Sequence, residues 1–208
     1  MGFRTGFVIG SILFIYGLLY IMSSYDYPLL FHGAFGKEEV RNAIDFYLSI
    51  YSAPLSVKAL IHAIIGLGMI GIVAKIVRWQ ENDKYFGSIS LLLYFVSVLM
   101  YIGVNIPNMR ALKYPDEMRI VHRAVFDAEA YRKVENYDFK PLSERETTSV
   151  VQVISATNVI ITVLLAGVLL MQIGEWYAVR LDRIAENKMR QESIAKLGAQ
   201  RGDEKKKN

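Results

Sequence analysis

Residues 147–174 read TTSVVQVISATNVIITVLLAGVLLMQIG, 28 positions without a Lys, Arg, Asp or Glu. At ~1.5 Å per residue this run exceeds a hydrocarbon layer of ~30 Å, so a tilted membrane helix over about 156–174 fits inside it. Trp176-Tyr177 follows as an aromatic pair suited to the membrane–water interface. Three further uncharged runs lie upstream. Thr5 to Tyr25 is uncharged over 21 residues and almost continuously apolar from Gly6 to Met22. It is long for a signal-peptide core and lacks a small-residue cleavage site, so it reads as a retained anchor. Ala59 to Ala74 has 16 uncharged residues and apolar character that runs on past Lys75 to Val77, with the lysine placed to snorkel at a helix end. Tyr85 to Met109 has 25, in which Asn105-Ile106-Pro107 is expected to stop the helix.

The fold class is therefore an all-α membrane protein with four transmembrane helices, at about 6–22, 59–77, 85–104 and 156–174. A four-span membrane domain occupies 1–177 and a charged tail 178–208. The wider composition agrees: 53% of the 208 residues are apolar, and the 24 basic and 20 acidic residues fall almost entirely outside the four runs. The net charge of +4 thus describes loops and tail and points to no nucleic-acid partner. Absence of cysteine excludes a disulfide scaffold, a thiolate metal site and a cysteine nucleophile.

Lys and Arg number 13 on the side of the N-terminus, the second connection and the tail, against 11 on the side of the two longer loops. The excess is small but dense, and it places both termini in the cytosol, with lumenal loops at about 23–58 and 105–149. The first loop opens with Tyr25-Asp26-Tyr27-Pro28-Leu29-Leu30-Phe31, a segment better placed at the membrane surface than in free water. Lys37 to Tyr51 then has acids in its first turn and Val40, Ile44, Tyr47, Leu48 and Tyr51 at spacings of three and four. That pattern predicts a helix, ended by Pro54, either packing over the mouth of the bundle or binding a partner directly. The longer second loop is polar, with a helix expected over Glu117 to Lys133. The tail alternates acids and bases and is expected to fray into a disordered end. It finishes Lys205-Lys206-Lys207-Asn208, which sets Lys205 and Lys206 at the spacing of a dilysine retrieval signal.

Chemistry inside the spans is sparse. His32, His62 and His122 are scattered, no acid and base can be paired, and no catalytic, cofactor or metal site can be named. Packing signals are richer. Gly6 and Gly10 make a GxxxG; Ala59, Ala63 and Gly66 share one side of the second span, and Gly68 and Gly71 open another. In the fourth span Asn158, Thr162, Ala166, Leu170 and Gly174 recur every four residues, with Gln152 and Gln172 near the ends. Such a stripe serves either packing within the bundle or docking of a client's helices. In the second case Asn158→Leu with Thr162→Leu would weaken client protection more than bundle stability.

The series Tyr25-Asp26-Tyr27-x-Leu29-Leu30-Phe31, Gly66-Leu67-Gly68-x-Ile70-Gly71, Asn158-x-Ile160, Ala166-Gly167-Val168 and Gln172-Ile173-Gly174-x-Trp176-Tyr177 closely resembles the fungal endoplasmic-reticulum membrane chaperones dedicated to amino-acid permeases. The likeness covers most of residues 20–180. It implies four spans, cytosolic termini and no catalysis, with help for permeases to fold and to enter COPII vesicles that the helper itself does not join. An ER-resident helper needs retention, so the resemblance adds weight to retrieval by the COPI coat through Lys205 and Lys206. Tyr25, Asp26, Tyr27, Gly66, Gly68, Gly71, Asn158, Thr162, Gln172 and Trp176 are then candidate client-contact or packing residues. The alternative is a structural or regulatory subunit of a stable membrane complex.

Overall fold

The computed structural model describes residues 3–33, 36–77, 81–114 and 142–207. The helix expected over Glu117 to Lys133 lies outside them. The described helices are α1 (Phe3–Phe31), α2 (Lys37–Tyr51), α3 (Leu55–Ile76), α4 (Glu81–Met100), a π turn (Tyr101–Asn105), α5 (Ile106–Lys113) and α6 (Glu144–Lys207). Four stretches are long and apolar enough to cross a membrane: Thr5–Phe31, Leu55–Ile76, Tyr85–Lys113 and Glu144–Lys196. The anticipated spans lie within them, apart from Val77, the residue that caps α3. α1 packs on α3 and α6, and α4 on α3 and α6, so the spans form a ring in which sequence neighbours are also neighbours in space.

Each span buries one narrow stripe. Along α1 the inward positions include Val8, Ile12, Leu19, Asp26 and Leu29; along α6 a line of them runs Val151, Ile154, Asn158, Ile161, Leu165, Val168, Gln172 and Glu175, with Ser155 and Thr157 buried beside it. The latter steps alternate three and four, the seam of a left-handed bundle. The outer faces carry exposed Leu13, Ile70, Leu92 and Val163, which lipid solvates as well as protein would.

Three helix boundaries differ from expectation, each for a readable reason. α1 does not end at the surface near Met22 but runs through Pro28 to Phe31, because Asp26 and Leu29 continue its inward stripe and are 3% and 2% exposed. The third span does not stop at Asn105-Ile106-Pro107. The π turn over Tyr101–Asn105 widens the helix just before the proline, which then falls in the first turn of α5, where a missing N–H is tolerated. Asn108 Nδ2 donates to the Val104 carbonyl of that turn at 2.7 Å. The tail, expected to fray, continues α6 to Lys207. Its charges include Glu186/Arg190 and Glu192/Lys196, acid four places before base, the spacing that supports an isolated helix.

α2 spans Lys37–Tyr51 as its periodicity predicts, and Glu39 Oε2 accepts the N–H of Gly36 at its start, at 2.8 Å. Pro54 begins α3 after a short turn. α2 lies across the end of the bundle against α1, α5 and α6, closing a second core of Leu29, Ala43, Tyr47, Met109, Val151 and Ile154.

Candidate functional site

Two buried polar clusters occupy opposite ends of the four-span core. At the α2 end, both oxygens of Asp26 accept hydrogen bonds, Oδ1 from the Tyr47 hydroxyl and Oδ2 from Asn158 Nδ2, the latter at 2.9 Å. Asn158 Nδ2 also donates to the Tyr47 oxygen at 2.9 Å, and Asn158 Oδ1 accepts from Asn105 Nδ2 at 2.7 Å. One cluster thereby ties together α1, α2, the π turn and α6. Burial, and after it the Asp26 charge, push the Tyr47 hydroxyl well above the usual tyrosine range, so it stays a donor. Tyr25 stacks on Phe46 of α2 with ring centroids 4.1 Å apart. A hydrophobic run alone would not dock α2 in one register; a carboxylate with fixed partners does so.

At the other end, Lys75 Nζ donates to Gln172 Oε1 and to Glu175 Oε2, each at 2.6 Å, and Gln172 Nε2 donates to Ser90 Oγ at 3.1 Å. The expectation that Lys75 snorkels outward is overturned: it is 7% exposed and paired. A bare ammonium at that position would be costly, and Glu175, the first charge after the long uncharged run, neutralises it.

Between the clusters the helices meet through one close approach. Tyr94, fully buried, crosses from α4 and donates to the Ile65 carbonyl at 2.9 Å. Its ring fills the space where a side chain on Gly68 would stand, since a Cβ there would lie 2.9 Å from Tyr94 Cζ and 3.0 Å from Ser11 Cβ. Only glycine fits three helices around that ring. Tyr16 adds a bond from α1 to the Thr162 carbonyl at 2.8 Å.

The candidate residues from the sequence therefore divide. Asp26, Gly68, Gly71, Asn158 and Gln172 face the interior. Tyr25 is half-buried under α2; Thr162 is half-buried with its hydroxyl bonded to the Asn158 carbonyl of its own helix. Tyr27 and Trp176 are exposed, and Arg180 lies over the Trp176 ring at 5.4 Å. Gly66 is half-buried, but a Cβ there meets nothing within 4 Å. Gly6 and Gly10 are exposed and equally open, so this GxxxG packs against nothing among the described residues. Lys205 and Lys206 fall at the far end of α6. The candidate residues from the sequence do not include Tyr47, Asn105, Ser90 or the Lys75–Glu175 pair. Extending the three-and-four stripe beyond each apolar run would have found Glu175, three places after Gln172.

Among the described residues no three His, Asp or Glu side chains converge as metal ligands. Apart from Asn105 Oδ1, which has no partner among the described residues, the polar groups of both clusters are spent on one another and on the helices they join, which is the chemistry of assembly. The sequence model of the SHR3 chaperones, described as ER membrane protein SH3, matches residues 1–208. The secretory component protein psh3 of Schizosaccharomyces pombe is 25% identical over 194 residues, covering 86% of this chain and 78% of that protein. No solved structure matches. A whole-chain family match and four membrane-spanning helices place the protein as a multi-pass resident of the ER membrane, and the chain belongs to the SHR3 family of ER membrane chaperones.

Proposed function

We propose that this chaperone serves amino-acid permeases, keeping them from aggregating in the ER membrane until they enter COPII vesicles, and that it does so without catalysis. Its termini face the cytosol, α2 and the connection between α5 and α6 face the lumen, and Lys205 and Lys206 return strays through COPI. The supporting observation is the division of polar and small residues. Asp26, Tyr47, Lys75, Asn158 and Gln172 are bonded within the chain, whereas Gly6 and Gly10 on α1 and Ala59 and Ala63 on α3 are exposed, and a Cβ on either glycine would meet nothing within 4 Å among the described residues. Small outward residues admit a client helix to close range, and contacts of well under a few kcal/mol let it leave. Permeases bring many spans with polar midplane groups that are costly in lipid until their own partners arrive. The client face is thus assigned to the outer sides of α1 and α3, with Asn158 and Gln172 holding the bundle together behind it.

In cells lacking the protein, newly made permeases extracted in mild detergent should run as aggregates and stay in the ER, while unrelated secretory cargo moves normally. Monomeric permeases at the plasma membrane of such cells would refute the reading. A glycosylation sequon placed near Tyr131 should be used and one near Gln200 should not; the reverse pattern would invert the topology.

A further inference from the structure

A cavity of about 230 Å³ lies inside the ring of spans. Its inner end is lined by Ile65, Tyr94 and Leu165, level with the middle of the fourth span, and Leu19 and Ile161 continue its walls. Apolar cavities of ~150 Å³ stay dry and take up small hydrocarbons, so this one suits part of a hydrocarbon chain rather than water. Val57, 46% exposed, and half-buried Lys58 line it from the first turn of α3, and half-buried Leu18 and Met22 line it from α1. The cavity therefore opens near the end of a span, at the depth where lipid headgroups meet their chains. From Lys58 to Ile65 is roughly 10 Å along the helix, which sets the length of chain the space can take.

Most polar side chains on its walls are spent or closed off. Ser97 Oγ donates to the Tyr94 carbonyl at 2.7 Å, and the Tyr94 hydroxyl to the Ile65 carbonyl at 2.9 Å. Asn158 is bonded through both ends of its amide, and the free oxygen of Asn105 is shut inside the protein. Tyr101 lines the space with a hydroxyl that can donate or accept and so selects nothing. Lys58 differs: its ammonium has three donors and no acceptor, and it spends one donor on the Tyr51 carbonyl at 3.1 Å. Lys113 of α5 donates to Ser52 Oγ at 2.8 Å, and the two ammonium nitrogens lie 5.7 and 5.6 Å from the centroid of the same Tyr51 ring. Both thus gather at the C-terminal end of α2, whose dipole offsets only about half a charge. No carboxylate among the described residues pairs with either lysine. Asp26, the buried acid at this end, is held by Tyr47 and Asn158 and lines no part of the cavity. A surplus of positive charge is left at the mouth.

We propose that this cavity binds one acyl chain of an anionic glycerophospholipid, with the phosphate held by Lys58 and Lys113 and the chain running inward to Leu165. The orientation is that of a bilayer lipid, charged at the α2 end and apolar at mid-membrane. Ammonium groups donate and phosphate oxygens accept, so hydrogen-bonding sense and charge both match. The second chain stays in the bilayer. A zwitterionic lipid also brings a phosphate, but its own cation cancels that charge and leaves the surplus on the two lysines in place. The inference stands apart from the client reading: permease traffic does not test it, nor does lipid binding test permease traffic.

The test uses the full chain in phosphatidylcholine nanodiscs doped with clickable lipids carrying a mid-chain diazirine: a phosphatidate, a phosphatidylcholine and a fatty acid of the same chain length. After illumination, labelled peptides should include those bearing Ile65 and Leu165. Phosphatidate should exceed phosphatidylcholine there by about fivefold, the size expected of one lysine acting on an anionic lipid. Lys58→Gln with Lys113→Gln should bring phosphatidate down to the phosphatidylcholine level; Lys113→Gln alone, on the exposed residue, should lower the preference and serves if the pair does not fold. Lys37→Gln removes an equal charge from the other end of α2, where the lysine is paired with Glu144, and should leave the preference in place. Ile61→Trp, which fills the channel from α3, should abolish cavity labelling with an unchanged melting profile, and Leu18→Trp serves if that variant does not fold. Excess inorganic phosphate, which lacks the chain, should not displace the label. Equal labelling by the two phospholipids, a preference that survives loss of the lysines or falls as far in Lys37→Gln, displacement by inorganic phosphate, stronger labelling by the fatty acid, or label confined to outward faces would each overturn the proposal.

Discussion

Asn158→Leu is the substitution for which the structure makes the largest claim. Asn158 is 3% exposed and makes three side-chain bonds between elements: to Asp26 of α1, to Tyr47 of α2 and from Asn105 of the π turn. At the ~0.6 kcal/mol average for interhelical polar bonds in a membrane protein, their loss costs about 2 kcal/mol. Asn105 would then have both ends of its amide unpaired in the interior, and one further buried unsatisfied group adds about 1–3 kcal/mol. The expected destabilisation is about 3–5 kcal/mol, or about two to four decades in the folding equilibrium. Thr162→Leu should cost under about 1 kcal/mol, because that hydroxyl bonds only to its own helix. The sequence-based expectation for the pair, that client protection suffers more than bundle stability, is thereby reversed. Reversible unfolding in mixed micelles with rising denaturing-detergent fraction measures both variants. If Asn158→Leu unfolds within about 0.5 kcal/mol of the wild type, well below the bond estimate, and client protection nevertheless falls, the network account is wrong and a docking role for Asn158 returns.

Three further outcomes follow from the geometry. Gly68→Ala should destabilise the bundle by about 1–3 kcal/mol through displacement of the Tyr94 ring, while Gly10→Ala, which meets open space, should leave the unfolding curve in place; equal effects would refute the close-approach account. Lys75→Met should cost about 3–5 kcal/mol by stranding Glu175, and adding Glu175→Met should restore most of it, a rescue that a merely solvated lysine would not show. Lys37 holds the Glu144 carboxyl below the usual glutamate range by a hydrogen bond and its charge, and Glu144 in turn raises Lys37. The pair therefore persists from the ordinary carboxylate range up to the ordinary lysine range; it is lost as pH falls through the lowered Glu144 value or rises through the raised Lys37 value. Carboxyl NMR should show Glu144 titrating low and returning toward the ordinary value in Lys37→Ala; an ordinary midpoint in the wild type would contradict the pairing.

How far the sequence could be read depends on which signal was asked for. Uncharged runs located four spans because a charge is costly in hydrocarbon, and period and first-turn acids located α2. Helix ends were less legible. A polar residue marks the end of an apolar run, yet Asp26 and Glu175 are polar and inside, each made tolerable by a partner far away in sequence. The face of α6 was misread for a geometric reason: steps of four advance about 40° beyond a full turn each, so a stripe from Asn158 to Gly174 drifts about 160° around the helix. Leu170, on that stripe, is 64% exposed, whereas Leu165 and Val168, off it, are buried. The tail was read from composition as frayed, although its acid-to-base spacing supports helix.

The length of α6 has a mechanical side. From Glu175, the last charge it buries in the bundle, to Lys207 the helix extends roughly 48 Å, several times the ~8 Å over which a membrane's surface charge is felt in physiological salt. If it runs along the membrane normal, the far end of the helix, with Lys205 to Lys207, stands beyond the reach of the headgroup charge. The same rod is a lever with its fulcrum at the Lys75–Glu175 contact, where a tilt of one degree moves the tip by about 0.8 Å, taking the arm at ~1.5 Å per residue. A client that spread α1 from α3 by an amount too small to disturb the core would sweep those lysines through a distance comparable to a side chain. Spin labels at Arg190 and within α2 would register that sweep as a change in separation on client binding, and a fixed separation would show the arm to be uncoupled.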